Sequence, residues 1–250
     1  MGDALRRLNP PAAGALRALP GRVSALSDDT SMALPPEGTV ALVFTDVQGS
    51  TRLWERGDAS MRAALEVHDA LLRSLLADST GYEVKTQGDS FMIAFSTVLE
   101  ALQWCLSAQE ALLRAPWPAE LLAQPEAAEE SGPRGLLHRG LRVRMGVHVG
   151  EPECRIDERT GRMDYLGRMV NVASRVTSAG HGGQVLVSGT AWAQVAPAVE
   201  VLGRPAVRPL GSFRLKGIDD AVALVEVLPA SLSDRRFGAP RAPRDRQGNV

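Results

Sequence analysis

Val40-Ala41-Leu42-Val43-Phe44-Thr45-Asp46-Val47-Gln48-Gly49-Ser50-Thr51 decides how the rest of the chain is read. An apolar run of β type ends on a lone carboxylate, Asp46, and a glycine and two hydroxyl residues follow at once. So continuous an apolar strand belongs at the centre of a sheet covered on both faces. Beyond the turn, Leu53, Met61, Ala64, Leu65, His68, Leu72, Leu75 and Leu76 recur at three- and four-residue steps, which predicts a helix from Ser50 to Ala77. A strand that ends in Asp and turns through Gly into a helix suits a metal-bound nucleotide. The carboxylate can hold a hard cation, and the free amides of a first helical turn can bind phosphate oxygens. Gly49-Ser50-Thr51 lacks the Gly-Lys-Ser/Thr of a P-loop, so that motif is excluded.

Outward from this stretch, Tyr82 to Thr86 and Phe91 to Phe95 read as strands joined at Gln87-Gly88-Asp89-Ser90, a hairpin signal. Thr97 to Arg114 is a helix with Leu99, Leu102, Leu106 and Leu113 inward. Leu141 to Val149 is a strand, and Gly150 to Tyr165 is a polar hairpin arm turning at Glu158-Arg159-Thr160-Gly161. Arg168 to Ser178 is a helix ended by Gly180; Gln184 to Val187 is a strand followed by a short helix to about Gln194. Val199 to Leu215 and Ala221 to Val227 are strand-like. The order β-α-β-β-α-β is the split-βαβ, ferredoxin-like unit. The expected fold is therefore α+β, a ferredoxin-like βαββαβ core with extra C-terminal strands and a hairpin arm. Residues 1–37, rich in Ala, Pro and Gly, read as a flexible leader, and 38–230 as one domain. Within it 115–139 is an insertion, partly helical around Ala119–Leu122, and 231–250 is expected to be a disordered tail.

The 250 residues are 44% hydrophobic and 23% charged, enough for a buried core. A net charge of -1 gives no reason to expect a nucleic-acid or acidic-membrane partner. Cys105 and Cys154 have no metal-ligand spacing and suit reduced thiols of a cytoplasmic protein. No apolar run approaches the roughly 20 residues that span a bilayer, so no stable membrane insertion is expected. Arg6, Arg7, Arg17 and Arg22 in the leader would suit a transit-like segment, but Pro10, Pro11 and Pro20 interrupt it and it has no secretory apolar region.

Asp46 and Asp89 both follow or adjoin apolar strands, and in a split-βαβ sheet the first strand lies beside the hairpin, so their carboxylates can converge. Two converging carboxylates with triphosphate oxygens make a two-metal site for in-line phosphoryl chemistry. The plainer alternatives are a helix N-cap for Asp46 and a turn residue for Asp89. Lys85 alone would be a solvated edge-strand lysine. Asn171 and Arg175 share a helix face among small and apolar residues, Arg144 reads as the exposed alternate residue of a strand, and Lys216 is equally weak alone. His68, His138, His148 and His181 form neither a triad nor a metal spacing.

Together, Phe44-Thr45-Asp46-Val47-Gln48-Gly49-Ser50-Thr51, Val84-Lys85-Thr86-Gln87-Gly88-Asp89-Ser90-Phe91-Met92, Arg144-Met145-Gly146-Val147-His148 and Asp164-Tyr165-Leu166-Gly167 running into Val170-Asn171-Val172-Ala173-Ser174-Arg175 resemble the class III nucleotidyl cyclase catalytic domain. The resemblance covers about Thr39 to Val227, and the Phe-Thr-Asp-Val-Gln-Gly-Ser-Thr form with the arm before Asp164 is similar to the protozoan receptor-type adenylyl cyclases and bacterial relatives. It implies that Asp46 and Asp89, with the Val47 carbonyl, bind two Mg²⁺ or Mn²⁺ ions. It implies that Gly49, Ser50 and Thr51 hold the β- and γ-phosphates, although many members have Phe where Ser50 stands. Lys85 and Asp164 match the adenine-reading pair, as hydrogen-bonding logic allows: a carboxylate accepts from the exocyclic amine and an ammonium donates to a ring nitrogen. Asn171 matches the ribose-orienting residue, Arg175 the residue at the α-phosphate, and Arg144 and Lys216 triphosphate contacts. The implied activity is an adenylyl cyclase that converts ATP to 3′,5′-cyclic AMP and pyrophosphate in a head-to-tail homodimer. Guanylyl cyclases commonly place Glu at the Lys85 position, and a silent nucleotide-binding or dimerisation module would have lost a metal Asp, Lys85, Asn171 or Arg175. Lys85 and Asp164 count against the first, and the presence of all these residues against the second.

Overall fold

The computed structural model describes residues 33–245. In chain order its elements are β1 (Val40–Val47), α1 (Ser50–Arg56), α2 (Asp58–Ala77), β2 (Tyr82–Gln87), β3 (Ser90–Phe95), α3 (Val98–Arg114), α4 (Ala119–Leu122), β4 (Glu130–Gly132), β5 (Gly135–His138), β6 (Val143–Gly150), β7 (Glu153–Ile156), β8 (Met163–Leu166), α5 (Arg168–Ala179), β9 (Val185–Ser188), α6 (Gly189–Val195), β10 (Ala206–Phe213) and β11 (Val222–Leu228). The main sheet has seven strands in the order β10-β11-β9-β6-β1-β3-β2. Its β6-β1-β3-β2 part is antiparallel throughout and, with α1, α2 and α3 as connections, forms the expected βαββαβ core. β9 joins β6 in parallel and β10–β11 extend the sheet.

β1 is apolar because both of its faces are covered. Ala41, Val43 and Val47 pack with Met61 and Leu72 of α2 and Leu102 of α3. Val40 and Leu42 turn the other way, towards Tyr165 of β8 and Met169 and Ala173 of α5. α5 lies unusually close to the sheet at Gly146. A Cβ there would stand 2.3 Å from Thr177 Oγ1 and 2.4 Å from the Thr177 amide nitrogen. Only glycine admits that approach, so Gly146 sets the seat of the helix that carries Asn171 and Arg175.

The arm is the β7–β8 pair, folded over the free edge of β2. The Arg162 guanidinium lies 5.1 Å from the Tyr82 ring centroid and donates to the Glu83 carbonyl. The Met163 amide donates to the Tyr82 hydroxyl at 3.0 Å, and the Tyr165 hydroxyl donates to the Pro36 carbonyl at 2.7 Å.

Four expectations are corrected. The helix predicted from Ser50 to Ala77 is two helices, broken at Gly57, whose ψ of 97° is not helical; glycine is a poor helix former. The 115–139 segment is partly helical at Ala119–Leu122, as expected, but also holds the β4–β5 hairpin, and its Trp117, Leu121 and Ala127 are part of the main core. Val199 to Leu215 is not one strand. A 3₁₀ turn at Ala196–Leu202 ends at Gly203 and Arg204, with φ of 73° and 56°, before β10 begins. Pro209 is tolerated there because β10 is an edge strand with a bulge between Pro209 and Gly211.

The fourth correction concerns the expected tail, which is ordered as far as Asp245. Arg235 is 3% exposed and donates to the Leu137 and Gly183 carbonyls and to Gln109 Oε1. Phe237 stacks on His181, and the Asp245 amide donates to the Ser212 carbonyl. Charge and proline content look unfolded in a sequence, yet arginine can bury its stem while its fork meets carbonyls. Residues 1–32 of the expected leader and 246–250 of the tail lie outside the described residues.

Candidate active site

Asp46 closes β1 directly opposite Arg144 of β6 in the antiparallel ladder. The Arg144 guanidinium grips Asp46 Oδ2, with Nε at 2.7 Å and a second, shorter contact from Nη2. Arg144 is therefore not the exposed alternate residue its strand position suggested; a cross-strand partner holds it. The other oxygen, Oδ1, accepts from Ser90 Oγ at 3.1 Å. Thr45 is buried and its Oγ1 accepts the Phe91 amide at 3.1 Å, which locks the end of β1 to the start of β3. Gly88 (φ 62°) and Asp89 form the two-residue turn between Gln87 and Ser90. Asp89 thus stands one residue from the serine that touches Asp46.

Asp89 Oδ2 is buried and has no hydrogen-bond partner. A buried carboxylate oxygen left unpaired is costly, and a divalent cation is the group that would relieve it. The donors are all hard oxygens, which suits Mg²⁺ or Mn²⁺. Among the described residues no cluster of three or more His, Cys, Asp or Glu side chains forms a metal cage. A cation at Asp46 and Asp89 would need further oxygens, such as main-chain carbonyls and substrate phosphates, the usual manner of Mg²⁺ at phosphate sites.

After Val47, which is buried at 2% exposure, Gln48 and Gly49 turn the chain into α1. Gly49 has φ 75° and offers no side-chain cap, so the first-turn amides around Ser50 and Thr51 remain available to an anion. Gln48 Oε1 accepts the Gly182 amide at 2.9 Å and an Arg241 donor at 2.6 Å. Glu126, from the insertion, packs against Gly49 and pairs with Arg56.

Lys85 and Asp164 meet across the β2–arm junction. The ammonium donates to Oδ1 at 2.7 Å and Oδ2 at 2.9 Å, although the residues are 79 positions apart. Asp164 is 8% exposed and Lys85 is open to solvent. The pair lines a cleft of about 300 Å³ with Thr86, Asp157, Thr160 and Arg162. Asn171 and Arg175 project from one exposed face of α5, and among the described residues neither side chain has a hydrogen-bond or ion-pair partner. Lys216 is exposed on the β10–β11 loop, whose Leu215 and Ile218 pack beside Val172 and Val176 of α5. Within one chain the residues therefore form two groups: Asp46, Asp89, Arg144 and the Gly49 loop, and the Lys85–Asp164 pair. The Asn171–Arg175 face stands apart, with no side-chain partner among the described residues.

Sequence reasoning missed Ser90, Gln48 and Arg241. Ser90 and Gln48 lay inside motifs already singled out, but only the fold shows what their side chains touch. Arg241 lay in a segment read as disordered.

The split-βαβ sheet, with aspartates at the β1 end and in the β2–β3 turn, has the layout of a nucleotidyl cyclase domain, and residues 32–219 match the adenylate and guanylate cyclase catalytic domain. The chain belongs to that family. It is 48% identical over 171 residues, 68% of its length, to an adenylate cyclase of Mycosarcoma maydis. It is 38% identical over 242 residues, 85% of its length, to an adenylate cyclase of Schizosaccharomyces pombe. It spans only 7% and 14% of the lengths of these two relatives. Among solved structures, adenylate cyclases of Trypanosoma brucei in their monomeric state include one that is 33% identical, with a TM-score of 0.74, covering 85% of this chain and 97% of that one.

Proposed function

We propose that this chain is an adenylyl cyclase catalytic domain that converts ATP to 3′,5′-cyclic AMP and pyrophosphate. The observation that carries the choice of base is the Lys85–Asp164 pair in its cleft. An ammonium beside a carboxylate presents a donor and an acceptor at the spacing of a hydrogen bond. That matches the ring nitrogen and exocyclic amine of adenine; guanine presents a carbonyl and a ring N–H there instead.

In the reaction the ribose 3′-oxygen forms a bond to the α-phosphorus, the bond from that phosphorus to the β-bridging oxygen breaks, and pyrophosphate leaves while the hydroxyl proton passes to solvent. Asn171 orients the ribose and Arg175 places positive charge on the α-phosphate as negative charge builds there. A donor used in this way is worth about 3–4 kcal/mol of transition-state stabilisation. Arg144, Lys216 and the amides of Gly49, Ser50 and Thr51 hold the β- and γ-phosphates. Two Mg²⁺ or Mn²⁺ ions at Asp46, Asp89 and the Val47 carbonyl would supply the Lewis acidity that activates the 3′-hydroxyl and neutralises the triphosphate.

The active unit is a head-to-tail homodimer. Among the described residues Asn171 and Arg175 are exposed and their side chains unpartnered, as residues that complete a second copy's metal half would be. The domain read from the sequence as 38–230 is extended by the packed segment up to Asp245, with an internal elaboration at 115–139. Among the described residues no helix is long and apolar enough to cross a membrane. The two cysteines are unpaired, which, with ATP as the proposed substrate, supports a cytoplasmic domain. Purified protein given ATP or GTP with Mg²⁺ or Mn²⁺ should form cyclic AMP from ATP, with specific activity rising with protein concentration. A folded dimer that makes no cyclic product from either nucleotide would overturn the assignment.

A further inference from the structure

Arg241 lies beyond the last strand of the sheet, on a segment whose path is fixed without any help from its side chain. Its amide donates to the Ala179 carbonyl at the end of α5, at 2.8 Å. On one side of it Ala239 O accepts from His181 Nε2 at 3.0 Å, and the Phe237 ring stacks on His181 at 6.2 Å. On the other side the Arg214 amide donates to the Pro243 carbonyl at 2.9 Å. The guanidinium is therefore free for another task, and it is carried to the edge of the nucleotide site. One Nη donates at 2.6 Å to Gln48 Oε1, immediately before the Gly49 turn. Gln48 is itself fixed, its Oε1 accepting the Gly182 amide and its own amide bound to the Arg142 carbonyl at 2.9 Å.

Arg241 feels the charges of the site directly. Partial burial and the neighbouring Arg144 guanidinium lower its pKa, and Asp46 works against them. Through Gln48 the Arg241 guanidinium is placed beside the Gly49 turn, on the same side of the site as Arg144, where a triphosphate already neutralised in part by cations at the two aspartates would meet it. A guanidinium has five donors in a rigid fork, and the bond to Gln48 uses one of them. The side chain does not cap the last carbonyls of α5. The bond to Ala179 comes from the Arg241 backbone, and the side chain turns to Gln48 instead.

We propose that Arg241 is a phosphate-binding residue of the nucleotide site, holding the terminal phosphates of the substrate and the pyrophosphate product beside Arg144. The assignment rests on the cyclase activity proposed above for its substrate, but phosphate binding itself can be measured without turnover. Titration calorimetry with inorganic pyrophosphate and Mg²⁺ on the wild-type chain, Arg241→Ala, Arg241→Lys and Arg244→Ala is the test, with steady-state kinetics on ATP in parallel. Arg244 belongs to the same segment but its guanidinium lies over the Phe213 ring, away from the site. Arg241→Ala should weaken pyrophosphate about tenfold, as expected for loss of one charge-assisted contact. It should raise the KM for ATP by a similar factor while the preference for ATP over GTP is kept. Arg241→Lys should recover part of the loss, and Arg244→Ala should match the wild type. Unchanged pyrophosphate affinity in Arg241→Ala, or an equal loss in Arg244→Ala, would overturn the proposal. Pyrophosphate binding that depends on Arg241 in a chain that forms no cyclic product would leave Arg241 standing and remove the cyclase activity.

Discussion

Asp46 faces competing claims on one carboxylate: the Arg144 fork already bonds Oδ2, and a metal ion would need the same oxygens. In the absence of nucleotide the arginine acts as the counter-ion; with triphosphate present it has phosphate oxygens to turn to. Arg144→Ala should therefore bind Mn²⁺ more tightly than wild type in the nucleotide-free protein, by about fivefold, the scale of a partly exposed pair. The same variant should bind ATP more weakly. Mn²⁺ titration followed by electron paramagnetic resonance reads both states, and tighter binding of both ligands, or of neither, would show that Arg144 does not bridge the two roles. On the proposed reading the Lys85–Asp164 pair carries a similar tension, because a bound base would displace part of it. Lys85→Glu would set two carboxylates face to face and remove the donor to the ring nitrogen. Turnover of ATP should drop by about 100-fold, the scale of losing the hydrogen-bonding match to a substrate; unchanged ATP turnover would remove Lys85 from base recognition.

At the scale of elements, β6 carries a pH-dependent contribution. His148 is held by Ser188 Oγ at 2.8 Å, and Ser188 also caps α6 through the Ala191 amide. Burial, and then the nearby Arg168, depress the His148 pKa to about 4. The unfolded chain, with an ordinary value near 6.5, binds this proton first as pH falls. Stability is therefore fully present above about pH 6.5 and is lost as pH drops towards 4. The loss is about 2 kcal/mol once partial solvent contact of the ring is allowed for. His138 on β5 is depressed to about 4 in the same direction, chiefly by burial. Urea midpoints at pH 6.5 and 4.5 should differ less in His148→Gln than in wild type, and parallel shifts would rule His148 out as a source. The elements themselves were legible in the sequence where chemistry was local. β1 showed as an apolar run because both faces are covered, and α3 showed its period, its Thr97–Glu100 capping box intact. The β4–β5 hairpin was not legible, since its Glu130–Gly132 and Gly135–His138 strands are only three and four residues long and show no alternation of buried and exposed positions. The tail was not legible either, because its order comes from distant partners such as Gln109 and Gly183 for Arg235. Of the site, the motif residues were readable from their spacing. The Asp46–Arg144 pairing needed the β1–β6 register, and the Lys85–Asp164 contact needed the arm to fold across 79 positions.

For the whole molecule, the question is whether one chain is a complete catalyst. Asp46 is bonded within one chain by Ser90, the neighbour of Asp89, whereas Asn171 and Arg175 face solvent with no side-chain partner among the described residues. If two copies pair head to tail, each site takes its aspartates from one copy and its Asn171 and Arg175 from the other. Asp46→Ala and Arg175→Ala proteins should each be nearly inactive alone, because every site in either homodimer lacks a required group. Mixed in equal amounts, half of the dimers formed at random are heterodimers. Each heterodimer has one site with both defects and one with neither, so the mixture should recover about a quarter of the wild-type rate, provided the losses in the single variants reach the 100-fold expected for a transition-state donor. The recovery should fall with dilution as the dimers dissociate. Mixing that restores nothing while light scattering shows heterodimers present would mean that Asn171 and Arg175 serve the site of their own chain, and the catalytic unit would then be a single copy.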